Sequence, residues 1–274
     1  MGGQTIRVLS ALLSGQDPRF RNILRDADDK PFTAGNGWIK SITTLSAPHN
    51  GTALNFVVSD IVTIVTSLMT LAGINPQDDI TQGQLYSFEL EQWELKREEN
   101  ESLNDYIKRV FNTLGDTKDI STWDTSIAGA QELNSTVNFS TVDPEAYYFS
   151  YENEKTFPVG KQLYLPVLTI NPKLRLTAIL MGTLSTDDPF GLGDGWREND
   201  GVVNTISMIA PQLGCSDGVR IYKGRPQKKV WNYLGKLKWD HGDITGQAII
   251  TFPWQVKKLK KFYLDLASML RNLE

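Results

Sequence analysis

Only two histidines occur in the 274 residues, so the search for a general base is short. His241 lies in Lys238-Trp239-Asp240-His241-Gly242-Asp243, a run of small and acidic residues just ahead of an amphipathic C-terminal stretch. A histidine acting as a base needs a loop position and a carboxylate that fixes which ring nitrogen carries the proton. Asp200, in Glu198-Asn199-Asp200-Gly201-Val202-Val203, is the candidate carboxylate. Asn-Asp-Gly is a turn signal, and the two valines after it read as buried chain that holds the turn. On these patterns alone both residues also fit a plain reading as ordinary turn positions. His49, in Pro48-His49-Asn50-Gly51, competes for the base role because it follows a strand. It is read as structural, a ring that fixes its turn by hydrogen bonding.

A nucleophile is harder to find. No Gly-x-Ser-x-Gly occurs, and Cys215, in Gly214-Cys215-Ser216-Asp217-Gly218, has no histidine near it and reads as an inert thiol. The first residues bear on this. Met1-Gly2-Gly3-Gln4-Thr5 followed by a helix is what comes after the serine of a nucleophile elbow, a tight strand-to-helix turn whose glycines leave no room for a Cβ atom. On that pattern the nucleophile is a serine directly before Met1, and the chain is N-terminally truncated. Ser, Asp and His would then follow one another in the α/β-hydrolase order.

These residues must be positioned by ordinary elements. The spacing predicts a helix from Gln4 to Ser14 with Ile6, Leu9, Leu12 and Leu13 on its apolar side, and a buried strand from Ile39 to Leu45. Leu54 to Ile74 carries apolar residues at helical spacing opposite a row of Ser, Thr and Asp, a helix with a wide apolar stripe. It is too short and too polar on one side for a membrane span. Two readings stand for it, a core helix or a mobile lid over a lipid-binding cleft. Gln84 to Val110 reads as charged helix, Ala146 to Tyr151 as a strand, and Leu174 to Gly182 as a strand or buried segment. Gly191 to Gly201 reads as a loop. Trp254 to Leu273 reads as a closing amphipathic helix with Val256, Leu259, Phe262, Leu266, Met269 and Leu273 on one face.

Bulk properties narrow the function classes. At 40% hydrophobic residues the chain can fill a sizeable core, and no repeat or linker divides it, so 1–274 is read as one domain. A net charge of -4 gives no electrostatic reason to expect nucleic acid as a partner. One cysteine excludes a disulfide framework and any multi-cysteine metal site. Met1 begins no signal peptide, while Asn50, Asn100, Asn134 and Asn138 stand in glycosylation triplets.

Taken together, the motifs resemble the secreted true lipases of Gram-positive bacteria, the staphylococcal and thermophilic Bacillus-type group. The likeness rests on the Met-Gly-Gly-Gln-Thr start, on Ser41-Ile42-Thr43-Thr44-Leu45-Ser46-Ala47-Pro48-His49-Asn50-Gly51-Thr52, and on Glu91-Gln92-Trp93 and Ser102-Leu103-Asn104-Asp105-Tyr106. It rests also on Glu198 through Met208 and on Trp239-Asp240-His241, so it spans almost the whole chain. The resemblance implies an α/β fold, the C-terminal portion of an α/β-hydrolase: a mostly parallel sheet flanked by helices, with a helical lid insertion and without the N-terminal strands and nucleophile. It implies Asp200 as catalytic acid, His241 as catalytic base and the backbone N–H of Met1 in the oxyanion hole. It places the lid at 54–80. It puts Asp119 at one ligand of a structural zinc site, whose other ligands lie upstream of the nucleophile, and Asp243 at a calcium ligand. A second calcium aspartate is expected five residues later, where this sequence has Ala248.

The expectation is a triacylglycerol lipase-like carboxylic ester hydrolase, extracellular, working at a lipid–water interface on triglyceride or other esters. It needs no cofactor for catalysis, structural zinc and calcium aside, and no stable protein partner. The alternative is a catalytically inactive lipase-like fragment or lipid-binding pseudoenzyme.

Overall fold

The structure is a computed structural model that describes residues 2–14, 38–57, 94–98, 101–114, 118, 120–137, 143–184, 193–215, 217–247 and 253–273. Its centre is a four-stranded sheet in the order β1-β2-β6-β5, where β1 is Ser41–Leu45, β2 Tyr147–Asn153, β5 Val219–Ile221 and β6 Trp231–Leu237. All three pairings are parallel, with Ile42 opposite Tyr148 and Tyr148 opposite Trp231. That row is the sheet's core: Ile42, Tyr148 and Trp231 are buried together with Ala146 and Ala210. Parallel strands need long return connections that cover the faces, which is why these strands are rich in β-branched and aromatic residues. A separate antiparallel hairpin, β3 Thr156–Val159 with β4 Leu163–Pro166, projects after β2.

Eight α-helical segments complete the described part: α1 Gly2–Ser14, α2 Leu54–Val57, α3 Leu103–Leu114, α4 Ser121–Asp124, α5 Ile127–Thr136, α6 Arg175–Gly182, α7 His241–Thr245 and α8 Pro253–Arg271. A second core forms where Leu174, Ala178 and Met181 at and along α6 meet Leu54, Ile170, Val202, Val203 and Met208. The valines after Asp200 are thus buried, as the sequence suggested.

Several expectations need correction. Of the two readings of Leu174 to Gly182 the strand falls and the buried segment stands: it is helical, and Leu174, Ala178 and Met181, at spacings of four and three, bury one face. Among the described residues of 84–110 the helix starts at Leu103 and 94–98 are turn and irregular chain; 84–93, 99 and 100 lie outside the described residues. Helix α1 keeps Ile6 against the sheet core, but its polar side is buried more deeply than its apolar one. It buries Gln4, Arg7, Ser10, Ala11 and Ser14, while Leu9 is exposed. Periodicity finds the apolar side; it cannot foresee that the polar side has buried polar partners. On α8 the expected face holds except at Val256: Leu266 is buried and Leu259, Phe262, Met269 and Leu273 are partly buried, while Val256 is exposed alongside Trp254 and Leu264. Of the lid region 54–80, only 54–57 is described; Leu54 is core, and the rest lies outside the described residues.

Candidate active site

Chemistry-bearing residues of an open parallel sheet gather at the carboxyl ends of its strands. Here β1 runs into Ser46-Ala47-Pro48-His49, β2 supports the loop that carries Asp200, and β6 runs into His241. The first turn of α1 packs at the same edge. A Cβ atom built on Gly3 would lie 2.4 Å from the Cβ of Ala47, so only glycine lets the helix approach this closely. The amide of Gln4 then donates to the carbonyls of Pro48 and Asp124, at 3.1 and 2.9 Å.

The structure brings Asp200 and His241 together. Asp200 is fully buried, and its Oδ2 lies 2.8 Å from Nδ1 of His241. Its other oxygen, Oδ1, accepts from the backbone N–H groups of Val202 and Val203 at 3.0 and 2.8 Å. A buried carboxylate is costly unless hydrogen-bonded, and these donors satisfy the oxygen that His241 does not use. Gly201 makes the turn possible: its φ of +97° is left-handed, and a Cβ there would meet the Cβ of Leu174 at 2.8 Å. His241 is the first residue of α7, with one quarter of its side chain exposed. With Nδ1 turned to Asp200, Nε2 is the nitrogen that faces away from the acid. Asp240 caps α7, accepting from the N–H of Asp243 at 2.8 Å while the Asp243 carboxylate accepts from the N–H of Asp240 at 3.1 Å. The second oxygen of Asp240 accepts from the N–H of Asn171 at 2.8 Å. Burial, with Asp243 close by, raises the Asp240 carboxyl above the usual range.

His49 has the other fate. It is fully buried, with Nδ1 3.1 Å from Arg7 and Nε2 2.9 Å from the Thr44 hydroxyl, and its ring meets Trp231 edge-on at 4.6 Å. Burial first, and Arg7 second, holds its pKa well below the ordinary value, so the ring is neutral. Arg7, also wholly buried, donates to Asn134 at 2.6 Å, and burial lowers its pKa to about 9. The His49 turn in turn grips the acid loop. His49 N–H donates to the carbonyl of Ser207, the Ser207 hydroxyl to the carbonyl of Gly51, and the Thr52 hydroxyl to the carbonyl of Val202. His49 is a structural residue in this network. Sequence reasoning missed Arg7 and Asn134, because a lone arginine on a helix reads as surface.

Cys215 is half-buried, and burial raises its thiol pKa, the opposite of an activated nucleophile. Two of the glycosylation triplets are buried. Asn50 donates to the carbonyl of Ala210 and accepts from Gln212 and Leu213, and Asn134 donates to the carbonyls of His49 and Leu213. Neither amide can carry a glycan in the folded protein. Asn100 and Asn138 lie outside the described residues, as do Met1 and Asp119, expected at the oxyanion hole and the zinc site.

The calcium expectation at Asp243 does not fit the residues present. Its Oδ2 receives the ammonium of Lys155 at 2.9 Å, with both side chains mostly shielded. Position 248 supplies a methyl group instead of a carboxylate. Among the described residues no group of three His, Cys, Asp or Glu side chains could hold a metal ion.

A parallel sheet with a buried acid on a loop held against β2 and a histidine after β6, in that chain order, is the arrangement of an α/β-hydrolase. The comparisons with known proteins agree. The family model for the lipase-like C-terminal domain matches residues 1–274, and the chain belongs to that family. Curated relatives include a lipase of Staphylococcus hyicus, 28% identical over all of this chain and 41% of the relative's length. Lipase 2 of Staphylococcus aureus is 29% identical over all of this chain and 39% of its own length. The chain thus spans about two-fifths of these relatives. Among solved structures, EstA from Clostridium botulinum matches 99% of this chain and 62% of its own, with a TM-score of 0.79 and 34% identity. Lipase 1 from Pelosinus fermentans matches 96% of this chain and 69% of its own, with a TM-score of 0.69 and 33% identity. No helix of the described residues is long and apolar enough to cross a membrane.

Proposed function

We propose that this chain supplies the acid and base of a serine ester hydrolase that cleaves lipid esters, a triacylglycerol lipase in the class of its relatives. The observation that carries the reading is the 2.8 Å contact between buried Asp200 and Nδ1 of the partly exposed His241. The elbow pattern assigns the nucleophile to a serine directly before Met1. Nε2 of His241 takes the serine proton as Oγ bonds to the ester carbonyl carbon, and Asp200 holds the ring in the tautomer that leaves Nε2 free to accept. The negative charge on the carbonyl oxygen is met by N–H donors, one of them that of Met1. When the intermediate collapses, the alcohol leaves with the proton from Nε2. Water, deprotonated by the same nitrogen, then releases the fatty acid and restores the serine. No step requires a cofactor. Asp119 is assigned a structural zinc, the protein is placed outside the cell, and its working partner is a lipid–water interface, with neither nucleic acid nor a stable protein partner.

The region 54–80 is assigned the lid. At about 25 cal/mol per Å², an open lid that turns this apolar stripe to water costs several kcal/mol, and a lipid surface removes that cost, enough to shift an open–closed equilibrium. The test uses the protein with the elbow serine in place, on emulsified long-chain and soluble short-chain esters. His241→Ala should abolish both activities. The triple variant Val62→Asp, Val65→Asp, Met69→Asp should lose the first and keep the second. Full activity in His241→Ala would overturn the reading; an unchanged ratio in the triple variant would remove the lid from it. Ester binding without turnover in the parent would favour the lipid-binding alternative.

A further inference from the structure

The ion pair between Lys155 and Asp243 has a role of its own. Lys155, between β2 and β3, reaches both halves of the dyad's support. Its backbone N–H donates to the carbonyl of Asn199, the residue before Asp200, at 3.0 Å. Its ammonium donates to the carbonyl of Lys238 at 3.2 Å and to Oδ2 of Asp243 at 2.9 Å, both in the loop that carries His241. A backbone carbonyl and a carboxylate are hard oxygen donors of the kind that calcium takes. The side chain of Lys155 is 12% exposed and that of Asp243 14%, so the pair is largely shielded from screening by water. It lies in the wall of a cleft of about 490 Å³ lined also by Ile170, Asn171, Trp239 and Trp254. Trp239, Asp240 and Asp243, which flank His241 in sequence, line the same cleft.

We infer that Lys155 is a positioning residue whose ammonium serves as a fixed internal cation, tying the base loop to the acid loop and making the His241 loop independent of calcium. A second cation against the same carboxylate oxygen would meet the ammonium's repulsion, and no carboxylate at position 248 offsets it. The inference does not depend on the proposed ester hydrolysis, because its readout is calcium and not turnover.

The experiment measures thermal unfolding of the protein with the elbow serine in place, with calcium chloride alone as the probe and EGTA as the chelator. The parent should show the same Tm in both and no heat of calcium binding by titration calorimetry. Lys155→Met should lower Tm by roughly 5 °C, with Lys155→Arg restoring part of the loss. The double variant Lys155→Ala, Ala248→Asp should gain a Tm that rises with calcium. A calcium-dependent Tm in the parent that Asp243→Asn abolishes would overturn the inference. So would a Lys155→Met variant as stable as the parent. If Lys155→Met does not fold, the calcium response of the parent still decides the matter.

Discussion

Asp200 and His241 are joined twice. Besides the side-chain contact at 2.8 Å, the backbone N–H of His241 donates to the backbone carbonyl of Asp200 at 3.1 Å. The acid loop and the base loop are therefore one unit, and a change in either backbone moves both reacting groups.

Asp200→Asn and Asp200→Ala should separate chemistry from architecture. Asparagine keeps an oxygen for the N–H groups of Val202 and Val203 but puts an N–H donor against Nδ1, which forces the wrong tautomer. Alanine leaves both N–H groups buried without an acceptor. With the elbow serine present, both should lose ester turnover, by about 10⁴ on the precedent of the serine-protease acid. Only alanine should also lose stability, by about 1–3 kcal/mol per orphaned group. Denaturant unfolding beside initial rates checks this; equal stability of the two variants contradicts it.

His49→Asn should act on folding and not on chemistry. It removes a buried ring bonded at both nitrogens and packed on Trp231. A loss of about 2–4 kcal/mol is expected, with kcat per folded molecule little changed. Loss of activity at an unchanged Tm would instead give His49 a part in the reaction.

The 274-residue chain by itself should hydrolyse no ester, since its one thiol is buried upward in pKa and no elbow serine is present. It should also aggregate. Among the described residues β1 is an edge strand paired only with β2, and Leu9 of the neighbouring helix is exposed. Sedimentation and short-chain nitrophenyl ester assays test both; turnover that vanishes with His241→Ala is the contrary result.

Stability should fall as pH rises through neutrality because of Glu198. Burial, and then the neighbouring Glu154 carboxyl, pushes the Glu198 carboxyl from its ordinary 4.5 up to about 7, against the pull of Lys236. The folded chain thus binds this proton more tightly than the unfolded one. The contribution is complete below 4.5 and lost as pH passes 7. Glu154, whose carboxyl is lowered, acts in the acid range and with the opposite sign. Tm measured from about pH 5 to pH 8 should drop more steeply in the parent than in Glu198→Gln; parallel curves would refute the assignment.

The sequence by itself singled out Asp200 and His241, which the fold brings into contact. Asn-Asp-Gly followed by two valines, and a histidine between acidic turn residues, are local signals, and local signals survive in a linear reading. It determined that His49 belongs to a turn, and that α1 and α8 are helices, because their apolar residues repeat at helical spacing. It missed the helix at Arg175–Gly182, where a short apolar run fits helix and strand alike. Only the tertiary structure decided which face of α1 is buried. Arg7 goes inward because His49 and Asn134, distant in sequence, bring polar partners to it. Only the tertiary structure showed that two of the glycosylation triplets are core amides. Lys155 could not be read as a partner of Asp243 from the sequence, since 88 positions separate them and a lysine after a strand reads as solvent-facing. Periodicity reports what a segment wants to bury; whether a charge is buried depends on another charge or dipole arriving from elsewhere in the chain, and only folding brings that partner.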